Sequence, residues 1–537
     1  MKKLLLLAFF SIKLLNAQAQ DNNWTWGGQL DPAQAAYDVK HYTLNLAVDP
    51  ENKSISGSAD AVVKIISPID RIKLDLIDQY KVSQVRVNGK KAKFTRTKDQ
   101  LIVQLKEQYK PGERVTVSVD YAGTTPEAVN PPWQGGFTFS KDATGKHWIG
   151  LSSQNEGAKI FMPAKDHPSD EPDEGVEQFI TVPAPYQVAA NGVLISKEQK
   201  GNNITYHWKT DYPINNYGIN FTVGDFAVAQ KEYTTVNGNK VPMVLYLLKQ
   251  NESKAPELMA VLENSVKTQE KYFGEFPFWK DKIGIVETPY LGMEHQTINA
   301  YGNNYKFTKV DTTTHDWLLY HELGHEWWGN KVSVKDWADF WVQEGLTTYG
   351  DWLFIEEHGG HKAYLDQVKQ VGRNIRNQKP VIVKEFASSD EAYHGDIYTK
   401  GAYVMHTLRY ILGDEVFFKT IKNFVTDPAY TYENQIKTFD LQNYINVNTD
   451  HNITPVFDMY LRTTKLPEVL VKQTGDETYT VQIPNINFSL PMDVRTDSGV
   501  QRLELSNKPV IVNSKQTPVI DEDEWYLKKV KVEKQDL

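Results

Sequence analysis

The chain has 537 residues, too many for one ordinary core and enough for roughly two to four domains. Its net charge is −9 and no lysine or arginine cluster stands out, which excludes the electrostatic footprint of a nucleic-acid-binding protein. It contains no cysteine, so disulfides and thiolate metal sites are excluded, and any zinc must be held by histidine and carboxylate.

Residues 1–19 have the pattern of an export signal. Lys2-Lys3 form a basic start, residues 4–15 are mostly apolar, and Ala17-Gln18-Ala19 is a small-residue cleavage site. The apolar run falls short of the roughly 20 residues needed to span a bilayer. With no cysteine after the site, a lipid-modified N-terminus is excluded. No other stretch is long and apolar enough to span. The expectation is an exported protein, periplasmic or secreted, without a membrane span.

From residue 37 to about 228 the pattern is strand-like. Residues 41–48 alternate polar and apolar, as a half-buried strand does, and similar runs recur at 59–65, 100–105 and 114–121. Asn88-Gly89 and Pro111-Gly112 mark turns between them. Trp133-Gln134-Gly135-Gly136-Phe137 reads equally as the rim of a cleft or as a buried tryptophan at a domain junction. Strands continue to about 246. The period then becomes helical from 255 to 272, and helical runs dominate to about 461. Short strands return from 467 to 532. The order β, mainly α, then β makes a multidomain α+β chain with expected domains at 20–230, 231–464 and 465–537, and without repeats.

The most informative stretch is His321-Glu322-Leu323-Gly324-His325, with Glu344 after eighteen further residues. Asp311-Thr312-Thr313-Thr314 offers helix N-caps, and a helix is expected over 315–328. Gly324 costs stability inside it, a sign of close packing. A connection at 330–336 precedes a second helix over 338–357, stopped by Gly359-Gly360, with Glu344 one to two turns in. Positions four apart share a helix face, so His321 and His325 can hold one metal ion, and the second helix can bring Glu344 as third ligand. Two imidazoles and a carboxylate with one open position describe a catalytic zinc site rather than a structural one. One Zn2+ per chain is expected, and the constellation points to a metallopeptidase. Glu326, Trp327 and Trp328 continue the helix and are expected to pack.

Further motifs accompany it. The zinc motif lies within a run from His321 to Asn330, and Glu344 lies within Trp341-Val342-Gln343-Glu344-Gly345. Upstream stands Leu291-Gly292-Met293-Glu294-His295, and downstream Tyr398-Thr399-Lys400-Gly401-Ala402. Earlier, the segment 154–168 contains Phe161-Met162-Pro163 and Asp166-His167-Pro168, and Val39-Lys40-His41-Tyr42 opens the β region. In this order the chain resembles the zinc aminopeptidases of the M1 (gluzincin) family, over most of its length and least in the C-terminal segment. The resemblance implies an N-terminal β-saddle domain, a thermolysin-like, mainly helical catalytic domain and a small C-terminal β-sandwich. Many members add a large helical C-terminal domain. This sequence ends before one, which implies a less enclosed active site.

The resemblance also implies roles. Glu322 would be the general base, and Tyr398 would stabilise the oxyanion beside the zinc. Glu294 would pair with the free α-ammonium of a peptide substrate, and Gln154 would contact the same amine. Gly292 and Met293 would bind substrate, in a loop that lines the pocket for the first side chain and hydrogen-bonds the substrate backbone. Two positions depart from the family's Gly-x-Met-Glu-Asn element: Leu291 replaces glycine and could narrow the approach, and His295 replaces asparagine and could add a pH-dependent charge or merely pack. His167 stands where the family has glutamate. The implied activity is that of an M1-type metallo-aminopeptidase acting on peptides with a free N-terminus. The alternatives are a zinc endopeptidase, which a buried Glu294 would disfavour, a lipid epoxide hydrolase, and a non-catalytic peptide-binding protein, which would have no need of Glu322, Glu344 and Tyr398 together.

Overall fold

In the computed structural model, residues 24–534 are described. The expected leader, residues 1–19, lies outside them. Among the described residues no helix is long and apolar enough to cross a membrane.

The N-terminal region is built on an eight-stranded sheet. Tyr37–Asp49 lies inside it, antiparallel to Ser54–Ile65 and parallel to Val176–Pro183. The alternation expected at 41–48 is present: Tyr42, Leu44, Leu46 and Val48 are buried while their neighbours face outward. Asn88 and Gly89 both adopt positive φ, 49° and 76°, the requirement of a two-residue hairpin turn, and they join Lys81–Val87 to Lys90–Lys91. A four-stranded sheet, containing Gly136–Lys141 and His147–Ser152, and a three-stranded one cover the same core.

The expected domain boundary at 230 falls inside a strand. Phe226–Thr234 pairs with Lys240–Leu248, which runs parallel to Ile283–Glu287, then Asn299–Tyr301, with Gly292–Met293 at the edge. Lys240–Leu248 serves two cores. Val241, Met243, Leu245 and Leu247 face the helical core, whereas Val244, Tyr246 and Leu248 face the N-terminal one. A strand buried on both faces reads as a continuous apolar run, which hides the junction from periodicity.

The helix expected over 255–272 spans Ala255–Phe273 and ends at Gly274. Further helices span Trp317–Gly324, Trp341–Gly372, Asp396–Leu412, Asp414–Thr426, Thr438–Asn448 and Thr454–Arg462. Two small sheets follow, of four and three strands, starting with Glu468–Gly475. Their buried residues, including Val469, Val471, Met492 and Val494, join the helical core rather than forming one apart.

Candidate active site

Trp317–Gly324 is the helix that carries the paired histidines. It is shorter than the expected 315–328, and its N-cap is Asp316 rather than a residue of 311–314. Asp311 instead turns a small hairpin between Thr308–Val310 and Thr313–His315, with φ 51°. The Asp316 carboxylate accepts from the Leu318 and Leu319 amides at 3.1 and 3.2 Å, and from Tyr301 and Asn303 side chains at 2.7 and 2.9 Å. It thereby ties the helix start to the neighbouring strand. Past Gly324 the chain leaves the helix through tight turns, with Trp327 and Trp328 fully buried.

Glu344 lies in the first turn of Trp341–Gly372. Trp337–Asp339 forms a separate 3-10 turn before it. Gly360 (φ 81°, ψ 169°) kinks this long helix where the sequence suggested an end. The three expected ligands converge. His321 Nε2 lies 3.3 Å from His325 Nε2, and Glu344 Oε2 lies 3.6 and 3.3 Å from them. The centre of such a triangle is about 2 Å from each corner, the length of a zinc–nitrogen or zinc–oxygen bond. Glu344 Oε2 is buried without a hydrogen-bond partner, an orphan that a cation would satisfy.

The outward ring nitrogens fix the tautomers. His321 Nδ1 donates to Asp351 Oδ2 at 2.9 Å, and His325 Nδ1 donates to the Trp328 carbonyl at 2.9 Å. Both Nε2 lone pairs are then free for a metal. Burial would raise the Glu344 carboxyl, but positive charge at His325 and His321 overcomes it and holds it low, as a cation seated between them would. The donor set and its geometry fit zinc.

Glu322 is buried beside this triad. Burial pushes its carboxyl up to about 8; His321 and His325 oppose the rise, while Glu294 and Glu344 add to it. Gly292 lies against it. A Cβ on Gly292 would come within 2.5 Å of Glu322 Oε1 and 2.6 Å of Leu318 Cδ1, so the edge strand can press on the helix only with glycine there.

The next residues on that strand form the far wall. Glu294 is 2% exposed. Its Oε1 accepts from Gln154 Nε2 at 2.5 Å and from the Tyr217 hydroxyl at 2.9 Å. Gln343 Nε2 in turn donates to that hydroxyl at 3.1 Å. Among the described residues no lysine or arginine pairs with Glu294. The backbone behind it is pinned by Glu326, which accepts from the Thr297 amide at 2.8 Å, and by Asn330, which donates to the Glu294 carbonyl at 2.9 Å. Glu326 thus packs with its hydrogen bonds made. His295 is fully buried and 3.2 Å from Asn220 Nδ2, and burial pushes its imidazole down to about 3. Of the two readings of His295, it packs and adds no charge.

Tyr398 closes the site from Asp396–Leu412. Its ring stacks near His321 at 6.2 Å, and its hydroxyl is 3.0 Å from that of Tyr393. Burial and the Glu344 carboxylate raise its pKa well above the ordinary value. All nine expected site residues, Gln154, Gly292, Met293, Glu294, His321, Glu322, His325, Glu344 and Tyr398, line one cleft of about 290 Å3. Leu291 borders it, and Trp133, 43% exposed, stands at its rim rather than buried at a junction. Sequence reasoning missed Asp351, Tyr217 and Tyr393. Asp351 carries a signal, because it lies seven residues after Glu344 on the same helix face; the two tyrosines carry none.

The chain matches two family models, the peptidase M1 N-terminal domain over residues 38–217 and the peptidase family M1 domain over 259–460. Aminopeptidase N of Escherichia coli is 28% identical over 253 residues, 43% of this chain and 28% of that protein. Aminopeptidase N of Haemophilus influenzae is 23% identical, covering 58% and 39%. The probable aminopeptidase 1 of Sulfurisphaera tokodaii is 22% identical, covering 84% and 58%. The chain therefore spans less than two thirds of the length of these curated relatives. The M1 zinc metallopeptidase of Deinococcus radiodurans shares the fold, with a TM-score of 0.67 at 24% identity over 77% of this chain and 90% of that one. A variant of it was crystallised with a Tyr-Ser-Ala substrate, with a TM-score of 0.68 at 23% identity over 80% and 95%.

Proposed function

The chain belongs to peptidase family M1, and we propose that it is a zinc aminopeptidase that releases the first residue of peptides carrying a free amino terminus. The observation that carries this reading is Glu294. It is a buried carboxylate held only by neutral donors, beside the histidine pair, and it opens into the cleft. A buried carboxylate needs a cation, and a substrate ammonium is one. Held there, the ammonium leaves room for a single residue before the bond that reaches Glu322.

His321, His325 and Glu344 would hold the zinc, which supplies Lewis acidity and lowers the pKa of water. Glu322 takes the proton from the attacking water and passes it to the leaving nitrogen, a carboxylate that lines the cleft beside the histidine pair. Tyr398 remains protonated and donates to the developing oxyanion, with Tyr393 placed to donate to the Tyr398 oxygen in turn. Gln154 orients Glu294 and presents its amide beside the ammonium. The likeness to aminopeptidases of three organisms, and to a structure with a tripeptide substrate, supports the same reading.

The test is digestion of an unblocked hexapeptide by the zinc-loaded protein, followed by mass spectrometry. Stepwise loss from the amino end is the expected result. Internal cuts would overturn the reading in favour of an endopeptidase. We further propose export from the cytoplasm, on the strength of Lys2-Lys3, the apolar run at 4–15 and Ala17-Gln18-Ala19. Exported protein beginning at Gln20 would support it, and retention with Met1 intact would contradict it.

A further inference from the structure

Glu294 has two donors, and both lean on one residue far away in sequence. Trp26 is 4% exposed and lies in the helical core, although it precedes the whole N-terminal β region. Its indole N–H donates to the Gln154 carbonyl at 2.6 Å, fixing the backbone of the residue whose side chain binds Glu294. Its ring stands edge-on against Tyr217, with centroids 6.0 Å apart, and against Trp337 at 5.1 Å. Tyr217 is the second donor to the same Glu294 oxygen.

The segment around Trp26 is tied down from several sides. The Gly28 amide donates to the Ala387 carbonyl, and the Ser389 amide to the Trp26 carbonyl, each at 3.0 Å. The Ser389 hydroxyl donates to the Asn155 carbonyl at 2.6 Å, and His167 Nε2 donates to the Gly28 carbonyl at 3.1 Å. Farther along, Asp31 pairs with Lys73 of the β region at 2.7 Å. Gly27 has φ 81°, and a Cβ there would run into the Trp337 ring. The segment borders an open pocket of about 470 Å3, lined by Thr25, Gly27, Asp31, Lys159, Asp166 and His167. The place of the strap is set by these bonds, by Lys159 Nζ donating to the Thr25 carbonyl at 2.8 Å and by the Trp26 anchor.

We propose that Trp26 is a positioning residue for recognition of the substrate amine: the strap at residues 24–31 holds Gln154 and Tyr217 so that both donate to Glu294. This rests on Glu294 being the partner of the substrate ammonium. Loss of the indole N–H frees the Gln154 backbone and loosens the Glu294 carboxylate without touching the histidines or Glu322. The effect then falls on binding of the amine rather than on the chemical step.

The test compares wild type with Trp26→Phe, which keeps an aromatic ring and loses the N–H. With an aminoacyl amide substrate, KM is expected to rise roughly three- to tenfold, the effect of one buried hydrogen bond, with kcat within about twofold and bound zinc unchanged. A fall in kcat at constant KM would mean a merely structural role and would overturn the proposal. Gly27→Ala, which displaces the strap and keeps the indole, should reproduce the KM rise; if Trp26→Phe does not fold, this variant decides. Should wild type cleave no free-amine substrate, the aminopeptidase reading falls, and amide hydrogen exchange still decides the contact. Faster exchange at 150–157 with 317–330 unchanged supports it, and unchanged exchange at 150–157 overturns it.

Discussion

Gly345 and Gly401 face each other across the contact of two helices. A Cβ on Gly345 would lie 2.9 Å from the Gly401 Cα, and one on Gly401 would lie 3.0 Å from the Gly345 Cα. Gly345 follows the metal ligand Glu344, and Gly401 is three residues after Tyr398. The two backbones touch because neither carries a side chain, and this brings the carboxylate and the phenol to one cleft. The glycines of the two motifs thus set the distance between parts of the site.

Gly345→Ala should therefore lower stability. In an open helix the change would stabilise by about 1 kcal/mol, but here the added methyl forces the helices apart at a cost of about 1–3 kcal/mol. Thermal unfolding checks the sign; a raised Tm would contradict the close-contact account.

Glu322→Gln should keep the zinc and lose turnover by about a factor of 10³, within the usual range for general acid–base catalysis. Metal analysis beside single-turnover assays checks it. A variant that still binds zinc and retains near-normal kcat would remove Glu322 from proton transfer.

Tyr398→Phe should lower kcat by roughly 10²-fold or more while KM changes little, as expected when a donor acts mainly in the transition state. Steady-state kinetics decide it, and an unchanged kcat would leave Tyr398 as a packing residue against His321.

Asp351→Asn removes the carboxylate that orients His321. Zinc affinity should fall by about 10- to 100-fold, measured by competition with a chelator of known affinity. Unaltered affinity would mean that the His321 ring is oriented by packing alone.

The metal site was legible because its ligands are local. His321 and His325 are one turn apart, so helical period alone pairs them, and Glu344 opens the next long helix, whose packing brings in the third ligand atom. The alternation at 41–48 was legible for the same reason. The helix start was misplaced because Asp311 to Thr314 resemble caps, while the hairpin they form depends on pairing across Thr308–Val310 and Thr313–His315. Gly359-Gly360 predicted a stop, yet the helix resumes beyond the kink at Gly360. The domain junction was hidden because Lys240–Leu248 is apolar on both faces. Glu294 and its donor Gln154 came from resemblance, and the other supports came neither from resemblance nor from a local pattern. Tyr217 and Trp26 reach it through contacts between distant parts of the chain, which no local pattern encodes.

The most direct measurement of the central claim pairs each fluorogenic aminoacyl amide with its N-acetylated form and assays both with the zinc-loaded protein. Acetylation removes the positive charge that Glu294 is placed to meet. The account predicts cleavage of the free forms and a loss of at least about 10²-fold on acetylation, the cost of leaving a buried carboxylate unpaired. Equal cleavage of both forms would contradict it and would show that Glu294 does not measure the substrate's end.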